Sequence, residues 1–450
     1  MKDWKKTYRE RLTTAAEAVR LIKSGDRVSV ANAVGEPSFV IDAMIDNREA
    51  YRDVEITHML PMGKCQFAQA GMEKYFRLNS TFVGGPTRET VKAGHGDFTP
   101  CYFSQIPNLY DRTLPLDVAL IHVSPPDKNG FCSCGVSIDY TRKSAEVAKI
   151  VIAQVNANMP RTLGDTFVHV SKITALVEHD APLIELPPPK ITDVERAIGE
   201  NCAKLINDGD CLQLGIGAIP DAVLLFLKDK KDLGIHSEMF SDGVVELAEM
   251  GVINHSRKNF MPKKAIATFL MGTRRLYDYV HDNPSVHMAP STWVNDPFIA
   301  GRNDNLVSIN SCVQVDLLGQ VSSETVGYTQ ISAVGGQVDF VRAAALSRGG
   351  RSIIAMASTA AGGRISKIVS LLDEGAVVTT NRCDVEYVIT EYGIANLKYR
   401  TSRDRARMLI DIAHPDHRDK LKDGFERRFK VKYSGGVSVY LGAWPQRPSV

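Results

Sequence analysis

The 450-residue sequence lacks any apolar run long enough to cross a bilayer: the longest, such as IVIAQV at 150–155, is of strand length, against the roughly 20 residues a spanning helix needs. It has almost no net charge. The 54 basic and 52 acidic residues are scattered rather than gathered into a stripe, so nothing points to nucleic acid. Eight cysteines are too few in a chain this long for a disulfide framework, and they form no CxxC or Cys/His spacing that would hold zinc. The one close pair, Cys132 and Cys134, is expected to be strand packing, and the pattern fits a reducing cytoplasm. The opening residues, MKDWKKTYRERLTTAAEAVRLIKSGD, lack the apolar core of a signal peptide and the acid-poor bias of a transit peptide, which predicts no export. Apolar residues at 44% and charged residues at 24% exclude a largely disordered chain, and the length predicts two compact domains.

What is present is an internal repeat. AAEAVRLIKSGDRVSVANAVGEPSFVIDAM at 15–44 and RAIGENCAKLINDGDCLQLGIGAIPDAVLLFL at 196–227 share one order: an amphipathic helix, a Gly-Asp turn, a short apolar strand, a small-residue loop ending in proline, and another helix. The turns are Gly25-Asp26 and Gly209-Asp210, and the prolines are Pro37 and Pro220. Between the copies lies LPPPK at 186–190, which suits a linker. Domains are therefore expected at 1–188 and 189–450. Strands such as LDVALIHV at 116–123 and AVVTT at 376–380, alternating with helices, predict two tandem, similar, open α/β domains with mostly parallel sheets. Ligands of such sheets bind beyond the carboxyl ends of the strands, and two similar halves would leave a cleft between them.

Three segments carry candidate chemistry. In LGIGAIPDAV at 214–223, Gly215-x-Gly217 leaves a strand and enters a helix, so backbone amides could face an anion. Pro220 stands where a dinucleotide fingerprint wants its third glycine, and no Walker lysine follows; a plain strand-to-helix turn is the competing reading. In LGIHSEMFSDGVVEL at 233–247, His236, Ser237, Glu238, Ser241 and Asp242 crowd polar groups between apolar stretches. A Ser/His hydrolase pair lacks the GxSxG elbow, a metal site lacks a second ligand cluster, a carboxylate nucleophile remains open, and a capped helix start would also account for the crowding. In the segment 332–369, Gly335-Gly336 could bring amide hydrogens to an oxyanion, while Gly349-Gly350 and Gly362-Gly363 are expected to be turns. Asp339 and Arg342 are spaced for an ion pair on a helix.

Taken with GEP at 35–37, FRLNSTFVGGPTRETVKAGHGDFTP at 76–100, VSPPDKNGFCSCGVS at 123–137, AKIVIAQVNANMPRTLGDT at 148–166, INSCVQVDLLGQV at 309–321, GGQVDF at 335–340 and VITEYGIANL at 388–397, these segments resemble the acetyl-CoA hydrolase/transferase family, and within it the 4-hydroxybutyrate or butyrate CoA-transferase branch. The ordered set runs over nearly the whole chain. The resemblance implies a CoA-transferase-like fold of two tandem domains, with the site in the cleft between them. It further implies that Glu238 is the nucleophile, that Gly215, Ile216, Gly217, Ala218 and Ile219 line the CoA site, that Gly335 and Gly336 supply amides near the thioester oxygen, and that Asn310 contacts the cofactor.

A carboxylate nucleophile suits transfer because an enzyme-bound glutamyl thioester keeps the free energy of the acyl-CoA, with no metal or tightly bound cofactor needed and CoA serving as substrate. Ser237 or a helix N-terminus is expected to hold Glu238 charged. His236 either orients Glu238 or is satisfied within the core, and Arg88, His95 and Asp97 either face the cleft or serve structure. The expected reaction exchanges CoA between a short-chain acyl-CoA and an acid such as 4-hydroxybutyrate, butyrate, acetate, propionate, succinate or itaconate. The expected enzyme is cytoplasmic, a homodimer or homotetramer, without nucleic-acid or membrane partners. The rivals are an acyl-CoA hydrolase using the same glutamate, a sugar-phosphate-binding or ligand-sensing α/β protein, and a non-catalytic partner subunit.

Overall fold

Both copies of the repeat begin with the same cap. In the computed structural model, which describes residues 3–435, Thr14 with Glu17 and Thr192 with Glu195 form Thr-x-x-Glu capping boxes. The helix that follows is short in the first copy (Ala15–Ala18, then a 3-10 turn Val19–Leu21) and longer in the second (Asp193–Ala203). Each chain then turns on a left-handed glycine, Gly25 at φ +81° and Gly209 at φ +83°. The aspartate after it accepts the N–H three residues back, Lys23 to Asp26 at 2.8 Å and Asn207 to Asp210 at 2.7 Å. Even the long-range bonds match, with Gly25 N–H reaching Arg52 O at 3.0 Å and Gly209 N–H reaching Lys231 O at 2.8 Å. Asp210 additionally pairs with Arg351 at 2.8 Å, an ion pair for which Asp26 has no counterpart among the described residues.

From these turns grow two sheets. The first has seven strands in the order Gly96–Phe98, Phe76–Ser80, Val54–His58, Arg27–Val30, Val118–Val123, Ile150–Val155 and Ala175–Glu178, every pair parallel. Its central strands are buried along their length, as expected of a parallel sheet covered on both faces. The second runs Phe269–Leu270, Met239–Phe240, Cys211–Leu214, Leu306–Asn310, Arg351–Ala355, Tyr387–Thr390 and Gly393–Asn396, with Gly234–Ile235 beside Cys211–Leu214. It is parallel except where Leu214 meets Met239 and where the last two strands form a hairpin.

One apolar cluster joins the two sheets. It includes Ile121 of the first sheet with Phe103 and Tyr140 from turns and helix ends beside it, and Phe240, Phe269 and Ile309 of the second sheet. Helices Ser402–Asp411 and Arg418–Phe429 pack Leu409, Leu421 and Phe425 over the far edge of the second sheet. The prolines of 187–189 lie in an irregular stretch that follows the last strand of the first sheet and precedes the helix Asp193–Ala203. The outer ends of the expected domains, residues 1–2 and 436–450, lie outside the described residues. Cys132 and Cys134 are buried in and beside the short strand Phe131–Ser133, as free thiols. Gly349-Gly350 turns a helix into Arg351–Ala355, and Gly362-Gly363 turns a hairpin.

The segment AVVTT at 376–380 is not a strand. Only Thr380 bridges, to Val321. Val377 N–H is taken by the Thr325 hydroxyl at 3.0 Å, and Val377 and Val378 are exposed, so side-chain bonding replaces a ladder there. Among the described residues no helix is long and apolar enough to cross a membrane.

The matched turns give a paired test. Gly25→Ala meets no neighbour within 4 Å, so its cost is backbone strain alone, about 1–2 kcal/mol. Gly209→Ala adds a collision with the Arg257 guanidinium, 2.6 Å from the new Cβ. Denaturant midpoints are expected to fall in both, further in Gly209→Ala.

Candidate active site

Glu238 stands immediately before Met239–Phe240, held by bonds on both sides of the backbone. Met239 pairs with Leu214 and with Phe269. Ser237 Oγ donates to Leu214 O at 2.9 Å and accepts from Leu214 N–H at 3.2 Å. The Glu238 carbonyl accepts N–H groups from Thr268 at 2.9 Å and Phe269 at 3.3 Å. With its neighbours fixed, the Glu238 side chain reaches the start of the helix Gln337–Leu346, whose cap residue is Gly336.

There the part-buried carboxyl meets two donors. Asn295 Nδ2 donates to Oε2 at 2.8 Å, and the Gly336 amide lies beside the group and favours its charged form. A Cβ built on Gly336 would fall 2.0 Å from Glu238 Oε2 and 2.4 Å from Asn295 Nδ2, so only glycine admits this approach. Gly335 adopts φ +53°, packs against Phe82, and its carbonyl accepts Phe103 N–H at 3.0 Å. Gly335 thus shapes the loop and Gly336 faces the acid.

Ser237 is not the group that stabilises a charged Glu238, since its hydroxyl is committed to Leu214. Nor is the carboxyl held low. Burial, followed by the nearby charges of Asp339 and Asp139, pushes it up to about 8 against the opposing donors Asn295 and Gly336. Asp139 comes from the first half of the chain and accepts from Asn32 Nδ2 at 3.0 Å and Ser137 Oγ at 2.9 Å. The helix N-terminus that sequence suggested as a partner is present, at Gly336.

His236 belongs to the core. Its Nε2–H donates to Val294 O at 2.9 Å, and Nδ1 accepts from Asn303 at 3.0 Å. The ring packs against both Trp293 and Phe260, which also touch one another, and burial lowers its pKa to about 3, so it stays neutral. Asp339 does not pair with Arg342 as its spacing suggests. Its carboxylate accepts from Ser104 N–H at 3.1 Å and Ser104 Oγ at 2.9 Å, while Arg342 approaches Asp384 at 3.7 Å and covers the Tyr102 ring. Arg88 reaches across to Ile331 O at 2.9 Å, whereas His95 pairs with Glu73 on the surface and Asp97 lies near Arg77.

The loop Gly215–Ile219 begins one residue after Leu214, the partner of Met239, and so opens next to Glu238 along the sheet. Its glycines face open space, Gly217 takes φ +112°, and Ile216 is 40% exposed. Ala218 and Ile219 are the first residues of the helix Ala218–Leu225, with Pro220 third. A cavity of about 200 Å³ lies beside this loop, lined in part by Pro187, Pro189, Ile216, Gly217 and Met271. Neither Glu238 nor Gly336 lines it. Asn310 ends the adjacent strand, its amide donating to Ser308 Oγ at 2.9 Å and Gln213 Oε1 at 3.2 Å. Among the described residues no three His, Cys, Asp or Glu side chains group to hold a metal.

Sequence reasoning missed Asn295, Ser104 and Asp139. Asn295 follows the four-residue helix Ser291–Val294, in a stretch with no periodicity or motif to mark it.

Comparison with known proteins follows the same outline. The model described as acetyl-CoA hydrolase/transferase N-terminal domain matches residues 1–186, and that described as the C-terminal domain of the same family matches 272–425. The chain is 58% identical over 428 residues to a 4-hydroxybutyrate coenzyme A transferase of Clostridium kluyveri, covering 95% of this chain and 100% of the relative. The structure of RipA from Yersinia pestis superposes with a TM-score of 0.91 at 38% identity, over 95% of this chain and all of that one. A 4-hydroxybutyrate CoA-transferase structure from Porphyromonas gingivalis gives 0.81 at 41% identity, with the same coverage.

Gly336→Ala is expected to lower turnover by roughly a hundredfold or more, because Glu238 and Asn295 must both move. Steady-state rates beside an unchanged circular dichroism spectrum check it.

Proposed function

Because this chain belongs to the acetyl-CoA hydrolase/transferase family, we propose that its transfer of CoA between short-chain carboxylic acids runs through a covalent bond on Glu238. The chain is a CoA-transferase. The acid pair proposed first is 4-hydroxybutyrate with acetate, and butyrate next. The observation that carries the nucleophile is the hydrogen bond from Asn295 Nδ2 to Glu238 Oε2 together with the close approach of the Gly336 backbone to the same carboxyl, while Ser237 Oγ and His236 Nε2 are spent on backbone carbonyls.

In this reading ionised Glu238 attacks the thioester carbonyl of the acyl-CoA. The C–S bond breaks, giving a mixed anhydride and CoA thiolate. The thiolate attacks the glutamyl carbonyl, the acyl group leaves as a free carboxylate, and a glutamyl-CoA thioester remains. A second carboxylate then runs the steps in reverse. The tetrahedral oxyanions find N–H donors in Gly336 and Asn295, and loss of one such donor costs about 3 kcal/mol in transition-state energy. The open amides of Gly215–Ile219 support that loop as a CoA contact, with Asn310 at its flank. The site is proposed to lie where the second half, 189–450, meets the first, and the enzyme to work as a homo-oligomer.

Enzyme treated with acyl-CoA and no acceptor is expected to gain the mass of CoA minus water on the peptide holding Glu238. Glu238→Ala abolishes both adduct and transfer. Label on a serine or cysteine peptide would end the assignment. Release of free CoA should depend on added carboxylate; release at full rate without it would make the protein a hydrolase.

The proton adds a second test. Attack needs the ionised form, so kcat/KM should fall as pH falls through about 8. Stability has the opposite sign. The folded pKa of about 8 lies above the ordinary 4.5, so the native state keeps a proton the unfolded chain releases, and this contribution is lost as pH rises between those values. Glu238→Gln should flatten that part of the Tm-versus-pH curve while abolishing activity.

A further inference from the structure

We infer that Asp339 is a positioning residue for Glu238: clasped by Ser104 from the first half of the chain, it holds the amide of Asn295 and the backbone of Gly336 on the nucleophile. The inference rests on the assignment of Glu238 above and adds a group that does not itself touch substrate.

The geometry converges from three elements. Asp339 is 3% exposed and lies in the first turn of Gln337–Leu346, three residues after the cap Gly336. Both its oxygens accept from one residue, Ser104 N–H at 3.1 Å and Ser104 Oγ at 2.9 Å. The preceding residue, Phe103, donates its N–H to Gly335 O at 3.0 Å, so two successive residues of the first half grip both ends of the glycine turn. On its other side Asp339 shares the Asn295 side chain with Glu238: that amide bonds Glu238 Oε2 at 2.8 Å and also favours the charged form of Asp339. Asn295 is fully buried, with its amide nitrogen bonded to Glu238 Oε2. Displacing Ser104 therefore loosens Asp339, and with it both donors to Glu238.

Charge follows the same connections. Asp139 and Asp339 act on Glu238, and Arg342 and Cys101 lie near Asp339. Burial pushes Asp339 up to about 7 against Ser104, Asn295 and Arg342, and its negative charge opposes ionisation of Glu238. A residue that only braced the helix would leave the titration of Glu238 where it is.

The test is the pH profile of kcat/KM for acyl-CoA in the full-length enzyme. Asp339→Asn keeps the shape and removes the charge, so the acid limb is expected to move down by about one pH unit. Turnover on the plateau is expected to fall by about tenfold, with KM for acyl-CoA unchanged. Ser104→Ala removes one donor, lets Asp339 keep its proton to higher pH, and should move the limb the same way by less; it also serves if Asp339→Asn does not fold. An unmoved limb in either folded variant, with or without a loss of turnover, overturns the inference. The wild-type adduct separates the two readings. If acyl-CoA leaves no mass on the Glu238 peptide, the nucleophile assignment fails and this inference with it. If the adduct forms and the limb stays, only Asp339 is wrongly assigned.

Discussion

Everything at the site depends on one close approach, the backbone of Gly336 against the carboxyl of Glu238, with too little space between them for a methyl group. Glu238 cannot move away, because strand pairing at Met239 and two N–H donors on its own carbonyl fix its backbone. Nor can Gly336, because Phe103 and Ser104 hold Gly335 and Asp339 around it. Glu238 directly precedes a strand of the second sheet, but the residues that hold the glycine turn against it, Phe103 and Ser104, come from the first half of the chain. Two halves that repeat one topology thus build a site that neither contains alone.

That topology was readable because its signals are local. A Gly-Asp turn demands a left-handed residue and offers a carboxylate to the N–H three residues back, and both demands are written in adjacent letters at 25–26 and 209–210. Buried parallel strands such as Val118–Val123 and Ile150–Val155 are apolar runs broken only by His122 and Gln154, and were legible for the same reason. AVVTT at 376–380 has the same composition and failed, since what decides a strand is a partner with free ladder groups, and Val377 found a threonine hydroxyl instead.

Glu238 and Gly336, which the sequence marks as an acid amid apolar residues and a glycine pair before a helix, are brought together in the structure. The residues around them carry no such mark. Asn295, Ser104 and Asp139 sit 57, 134 and 99 positions from Glu238 and share no pattern with it. Tertiary structure alone brings them together. Even the local inference about Ser237 failed on geometry: successive residues of an extended segment point to opposite sides, so the neighbour of a nucleophile in such a segment is badly placed to serve it.

The same burial that raises the pKa of Glu238 is what a transferase needs. A glutamyl thioester survives only if a carboxylate reaches it before water does, so the carbonyl must lie where water is scarce and its few donors are protein groups. A carboxyl in such a place pays with a reluctance to ionise, seen in its upward shift to about 8. Strengthening the donors around Glu238 would ease ionisation and also weaken it as a nucleophile, since a carboxylate held by more hydrogen bonds is the weaker base. Two donors, Asn295 and Gly336, opposed by the charges of Asp339 and Asp139, strike a balance between those demands. In the proposed mechanism, groups that restrain the Glu238 carboxylate before attack are also placed to stabilise its oxygen when CoA thiolate adds to the glutamyl carbonyl.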